Sequence, residues 1–446
     1  MIVRYFKPLG CILYTFFFLS GLSSARADPG LTDFDLVLGR YGNLSTIAGM
    51  SGGGQGKDVN DWRNTMEGGP GTNADLSRPH MAMADAAGNV YVADKQSHSI
   101  LKIRTDGTIT RVAGATPGGQ NFGGYNLDEG VGRSVLLDNP NGLYTFPDGT
   151  TYILDLGNDR IRKLDPSGFL TTVVTDLAGI SVGRGLWVSP DQETIYYTSG
   201  TRVRRSVAGA FPTTYVSGFA NLGNIDVDLS GNLVVTDRGD HRVWQIKPDG
   251  SQMVIAGNGS VSGGGDGFLA TSTGLNEVRG IAFDDFGGYF LCTHKGGDMW
   301  YVDSEGIIHL AISGAGSGER LFGDGLPLTA NRFIEKISEP RAVALAPDGA
   351  LLITTNDSGL VRRVENIIPP REPSQVTVRY EDPRGAILQW QGDRRVFYRV
   401  ECSADLAGDW KIGEPVLGHA QDGLTEFLHP EARGKPRMFY RIRAFK

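Results

Sequence analysis

Cysteine is scarce: the 446 residues contain three, at positions 11, 292 and 402. The chain is therefore not a disulfide-stapled small fold, and no Cys-x-x-Cys metal or redox pair is present. Histidine is also sparse, with seven residues and no His-Glu-x-x-His zinc motif. There is no Gly-x-Ser-x-Gly elbow and no phosphate-binding P-loop, and spacing supports no nucleophile–base pair. "GAGSG" (314–318) is glycine-rich but opens no helical pattern, so it is not a dinucleotide site. Excess positive charge is missing as well: 43 Lys and Arg against 50 Asp and Glu give a net charge of −7. Nucleic acid is thereby disfavoured as a partner. Long hydrophobic runs are confined to one, "LGCILYTFFFLSGL" (9–22).

That run has Arg4 and Lys7 before it and "ARA" (25–27) after it. A basic start, a short apolar stretch and a small-x-small site predict a cleavable signal peptide over 1–27. The protein is expected to be secreted or periplasmic, with no membrane span after cleavage.

Glycine is abundant, 63 residues with no Gly-X-Y period. The glycines punctuate six alignable segments, 78–114, 139–176, 182–218, 222–257, 278–314 and 339–367. In the first, "MAMAD", "NVYVAD", "SILKI" and "TITRVAG" are apolar runs separated by turn residues. Asp-Gly and Asn-Gly turns between such runs predict four short antiparallel strands per segment, the pattern of a propeller blade. The sixth segment ends after its third strand, "LVRRV" (360–364). "LSTIAG" (44–49) has the form of the missing fourth strand and is expected to close the ring, leaving no sheet edge open.

"GNVYVAD" and "YILDLGNDRIRKL" resemble NHL repeats, and "AGNGSVSGGGDGFLATSTGLNEVRG" (256–280) is similar to the Gly-Asp-Gly linker between such repeats. The resemblance covers roughly 40–367 and is weakest in the third segment, which reads "TSGTRVRR". It implies an all-β, six-bladed propeller over 28–367, with strand 44–49 completing the last blade. "IIPPREP" marks a Pro-rich linker at 368–373. Six alternating runs in 374–446, with Trp390 closing an early one, resemble a fibronectin type III-like β-sandwich.

Propeller geometry predicts where side chains gather. The start of each inner strand places one residue near the axis: His80, Asn141, Arg184, Gly223, Arg279 and Arg341. Arginine forks suit carboxylate and phosphate groups, so His80, Asn141, Arg184, Arg279 and Arg341 are the candidate ligand site. Long insertions at 50–77, 115–138, 258–277 and 315–338 are placed on the same face; they carry Trp62, Phe122, Tyr125 and Phe322, and acids such as Asp128, Glu129, Asp266 and Asp324 that are candidates to pair with the arginines. The second-strand ends, Asp94, Asp155, Ser199, Asp237, His294 and Asn356, are read as turn-holding rather than metal-binding. His98 and His241 share one repeat position, which implies a role in the repeat.

These readings point to an exported, non-catalytic binding protein, a monomer whose ligand is a protein, peptide or carbohydrate. The alternative is a propeller enzyme of lactonase or lyase type acting on a small polar or anionic substrate. The resemblance implies calcium for such lactonases and histidine-held zinc for an NHL-like lyase. Only His80 stands at a channel position, and the ring is basic. No cofactor is expected, calcium being the one candidate, and the reading leans away from an enzyme.

Overall fold

A computed structural model describes residues 2–6, 32–50, 62–115, 122–284, 287–315, 323–328, 335–355, 358–367 and separate stretches between 374 and 444. Most of the 1–27 leader, the 368–373 linker, Phe322 and Asn356 lie outside the described residues. Two compact units result, Tyr41–Asn366 and a second formed by Met1–Arg40 with Ile367–Lys446.

In the larger unit six sheets follow one another along the chain. Their innermost strands are Pro79–Ala84, Pro140–Thr145, Leu186–Val188, Leu222–Val227, Val278–Phe283 and Pro340–Leu345. These touch in cyclic order, the last returning to the first. Val, Ile, Leu and Ala on facing sheet surfaces supply the cores; one such cluster joins Ala48, Val92, Leu101, Leu352 and Val361. Tyr41–Ala48 lies antiparallel beside Leu360–Asn366, with Leu44 opposite Val364 and Ser45 opposite Arg363. Two of the long insertions contribute extra strands: Glu129–Val131 outside Phe169–Thr175, and Glu335–Ser338 parallel to Ile308–Ala315.

The glycine that ends "LSTIAG", "TITRVAG" and "MVIAG" has a steric reason. Gly49, Gly114 and Gly257 have φ of 104°, 97° and 86°, in the left-handed region. A Cβ on each would run into backbone of the neighbouring strand's start, at Gly359, His98 and His241 respectively. Only glycine meets both conditions. Gly49 thus holds against the sixth sheet the position that Gly114 and Gly257 hold against theirs.

The smaller unit has two antiparallel sheets. One orders Ile2–Phe6, Arg437–Ala444, Phe397–Ser403 and Lys411–Leu417; the other orders Ser374–Glu381, Gly385–Gly392 and Gly423–His429. Both feed one core around Trp390, Tyr398, Val400, Tyr440 and Ile442. A short helix, Asp33–Leu38, starts at Thr32, whose hydroxyl accepts from the Asp35 amide while the Asp35 carboxylate accepts from the Thr32 amide, a reciprocal capping box.

Candidate functional site

The ring residues are presented by a repeated backbone irregularity. Pro79 pairs with Asp94 and Met81 with Ala93, so His80 is an extra residue in its strand. The same one-residue shift sets off Asn141, Arg279 and Arg341. Such bulges re-aim a side chain at the end of a strand. In the third sheet Arg184 lies just ahead of the paired strand, and the Arg184 and Gly185 amides both donate to the Thr198 hydroxyl, at 3.1 and 2.8 Å.

Residues two places before the ring positions add a second device. Arg78, Asn139, Val182, Glu277 and Glu339 all have φ between 43° and 65°. Left-handed backbone is costly for non-glycine residues and worst for a β-branched one such as Val182. The turn is pinned from two sides. Asp155 accepts from the Asp138 amide at 2.7 Å, Ser199 from the Ser181 amide at 2.9 Å, and Asp237 from the Ala220 and Asn221 amides at 2.7 and 2.8 Å. From the preceding sheet, His98 Nδ1 accepts from the Asn139 amide and His241 Nδ1 from the Glu277 amide, both at 3.1 Å. A third tier fixes the carbonyls: Thr198 donates to Gly223 at 2.9 Å, Thr236 to Arg279 at 2.7 Å and Thr354 to His80 at 3.3 Å, each on the next sheet around.

His80, Asn141, Arg279 and Arg341 are all buried and Arg184 is part-buried. Arg341 donates to His80 Nε2 at 3.0 Å and to His294 Nε2 at 3.3 Å. A guanidinium has no lone pair to offer, so both Nε2 atoms are acceptors and both rings carry their proton on Nδ1. His80 Nδ1 then donates to Asn141 Oδ1, and Asn141 Nδ2 donates to the Gly183 carbonyl. One polarised chain therefore runs from the sixth sheet through the first and second to the third. Burial, followed by repulsion from Arg341, Arg184, Lys95 and Arg279, holds His80 well below the usual histidine range.

Glu277 is the ring's carboxylate. It pairs with Arg279, meets Lys295 at 2.7 Å and lies 3.6 Å from His294 Nδ1. Burial opposes its charge, yet hydrogen bonds from Lys295 and Arg279 hold it down at about 2. Arg184 has no such neighbour in contact among the described residues. Its Nε and Nη1, and likewise Nε and Nη1 of Arg279, are enclosed with no acceptor among the described residues. Burial first, then Arg341, Arg279 and Arg238, push the Arg184 guanidinium down towards 7. Lys95 is pushed to about 8 by burial and then by Arg184 and Arg341. Guanidinium groups keep their proton in proteins, so this cost falls on the folded state. Next to the ring positions in sequence, Asn224 of the fourth sheet reaches Met81 of the first at 3.8 Å.

The structure brings together the five sequence-selected residues and adds His294, Glu277, Lys95 and Arg238. His294, placed among the second-strand ends, sits instead against Arg341. Lys95, Arg238 and His294 share one repeat position, immediately after the second strand, so His294 lies one residue beyond the strand end at which the sequence placed it. Three of the four acids selected as partners are engaged elsewhere. Asp128 lies 3.5 Å from Arg160, Asp324 lies 2.5 Å from Arg362, and Asp266 accepts from the Leu310 amide at 2.8 Å. Trp62 is not on a binding face: it is buried in the core, its Nε1 donating to Glu67 at 2.9 Å. Phe122 and Tyr125 are exposed, and Arg160 lies over the Tyr125 ring at 4.1 Å. No group of three or more His, Cys, Asp or Glu is placed to hold a metal among the described residues.

A family profile described as the Teneurin NHL domain matches residues 43–165. A solved protein of unknown function from Bacteroides thetaiotaomicron superposes with a TM-score of 0.56 at 16% identity, over 72% of this chain and 75% of that one. Tyr41–Asn366 is a β-propeller, and its first part is similar in sequence to an NHL domain. An auxiliary nutrient binding protein from the same organism superposes on the chain with a TM-score of 0.52 at 13% identity, over 72% of this chain and 75% of that one. Teneurin-1 of Mus musculus is 24% identical over 303 residues, 60% of this chain and 11% of that protein. Teneurin-4 of Homo sapiens is 27% identical over 261 residues, 50% of this chain and 9% of that protein. The chain thus spans about a tenth of the length of these curated relatives. No helix among the described residues is long and apolar enough to cross a membrane.

Proposed function

We propose that the chain is an exported, monomeric binding protein whose six-bladed propeller receives a protein, peptide or carbohydrate ligand on the face where the inner strands begin. The fibronectin type III-like module at 374–446 adds a tether or second contact. The carrying observation is the ring of His80, Asn141, Arg184, Arg279 and Arg341, built at the cost of left-handed backbone and enclosed like charge. Proteins retain such costs where a ligand offsets them. The propeller's likeness to teneurin NHL sequence fits an interaction role.

A lactonase- or lyase-type enzyme is the second reading, favoured by the placement of His294 Nδ1 3.6 Å from Glu277. Labelled full-length protein on glycan and peptide arrays separates the two. Saturable binding that is lost in Arg341→Ala supports the binding role. Multiple-turnover cleavage of lactone or depsipeptide substrates without a stable binder, or stoichiometric calcium or zinc in the purified protein, overturns it.

A further inference from the structure

We infer that the ring seats the carboxylate of a small anionic ligand between Arg184 and Arg279. The inference rests on the binding reading above and specifies the chemistry of what is bound.

Two guanidinium groups from the third and fifth sheets bring enclosed N–H donors with no acceptor among the described residues. A buried donor left unmade costs its full desolvation, and a charged one more. Converging cations add repulsion that a neutral hydroxyl cannot offset, whereas an oxyanion answers both needs. The remaining groups define the charge that fits. His80 and His294 are neutral, because Arg341 donates to each. Glu277 already partners Arg279 and Lys295. A doubly charged phosphate would face Glu277 at greater cost than a singly charged carboxylate. Gly223 contributes no side chain at the fourth position, between the two arginines' positions.

The test is thermal shift and calorimetry on the full chain at fixed ionic strength. The probes are D-glucuronate against glucose, a tripeptide acid against its amide, and inorganic phosphate. At least one carboxylate of the two pairs should stabilise the protein saturably while its neutral counterpart does not. Arg184→Gln should weaken that binding by about tenfold or more. It should also raise the melting temperature of the unliganded protein by about 2 °C, which a merely structural arginine would not do. The inference is overturned if acids and neutral counterparts act alike, if Arg184→Gln responds as the parent does, or if phosphate binds more tightly than every carboxylate. An array ligand that still binds under those outcomes leaves the binding role standing and removes only this chemistry. A carboxylate that binds while the arrays yield nothing separates the two in the other direction.

Discussion

Arg184 and Arg204 belong to the same sheet segment and live under opposite conditions. Arg204 is buried, and its Nε and Nη2 donate to the two oxygens of Asp176 at 2.9 and 2.8 Å. Tyr197 completes that carboxylate with a 2.6 Å hydrogen bond. Hydrogen bonding to Asp176 raises the Arg204 guanidinium above its usual value, whereas burial and neighbouring arginines lower Arg184. Arg204 is held by both oxygens of its carboxylate partner. At the ring, Arg184 and Arg279 each keep Nε and Nη1 enclosed with no acceptor among the described residues.

Opening the ring should give the largest effect. Arg341 and Thr354 of the sixth sheet both bond to His80 of the first. Deleting 41–49 strips the partner from Leu360–Asn366 and removes Leu44 and Ala48, both wholly buried. A loss above about 5 kcal/mol and self-association are expected. Denaturant unfolding with light scattering checks this; an unchanged monomer would show that ring and framework do not depend on closure.

Breaking the framework pair comes next. Asp176→Ala leaves Arg204 enclosed without its carboxylate and should cost about 3–5 kcal/mol in urea unfolding. A cost below about 1 kcal/mol would erase the distinction between the two arginines. The pair also sets a pH dependence. Burial acts to raise the Asp176 carboxyl, but hydrogen bonds from Arg204 and Tyr197 outweigh it and hold it below the usual aspartate range. Its contribution is complete above the unfolded value and is lost as pH falls through the lower folded one. Asp176→Asn should flatten the parent's stability profile below about pH 4.

A smaller effect tests how the ring is supported. Thr236 accepts from the Asn224 amide at 2.9 Å and donates to the Arg279 carbonyl at 2.7 Å. Thr236→Val leaves both groups buried without that partner, at about 1–3 kcal/mol. It should also weaken any ligand of Arg279; a stability loss with unchanged ligand affinity would assign Thr236 to the framework alone.

Much of this contrast was visible before the structure. Apolar alternation and Asp-Gly turns marked the strands, and counting back from the turns located His80, Asn141, Arg184, Arg279 and Arg341. The glycine of "LSTIAG" was legible because its steric demand repeats. Glu277 and His294 were not legible as ring members. Glu277 is aimed by a left-handed turn at a residue type that does not announce one, and the hydrogen bonds that hold it come from other segments. Nor could composition reveal which arginines would find acids: Asp176 looks no different in sequence from Asp128, which pairs with Arg160 instead. Trp62 misled because an aromatic in a Gly-rich insertion looks the same whether it caps a core or faces a ligand.

The most direct measurement is the unfolding free energy of Arg184→Gln and Arg204→Gln side by side, without ligand. The account predicts opposite signs. Arg184→Gln relieves enclosed like charge and is stabilising, by up to about 1 kcal/mol. Arg204→Gln uncovers Asp176 and loses about 3 kcal/mol or more. Comparable losses in both variants would contradict it, because the ring arginine would then be a framework residue like its neighbour.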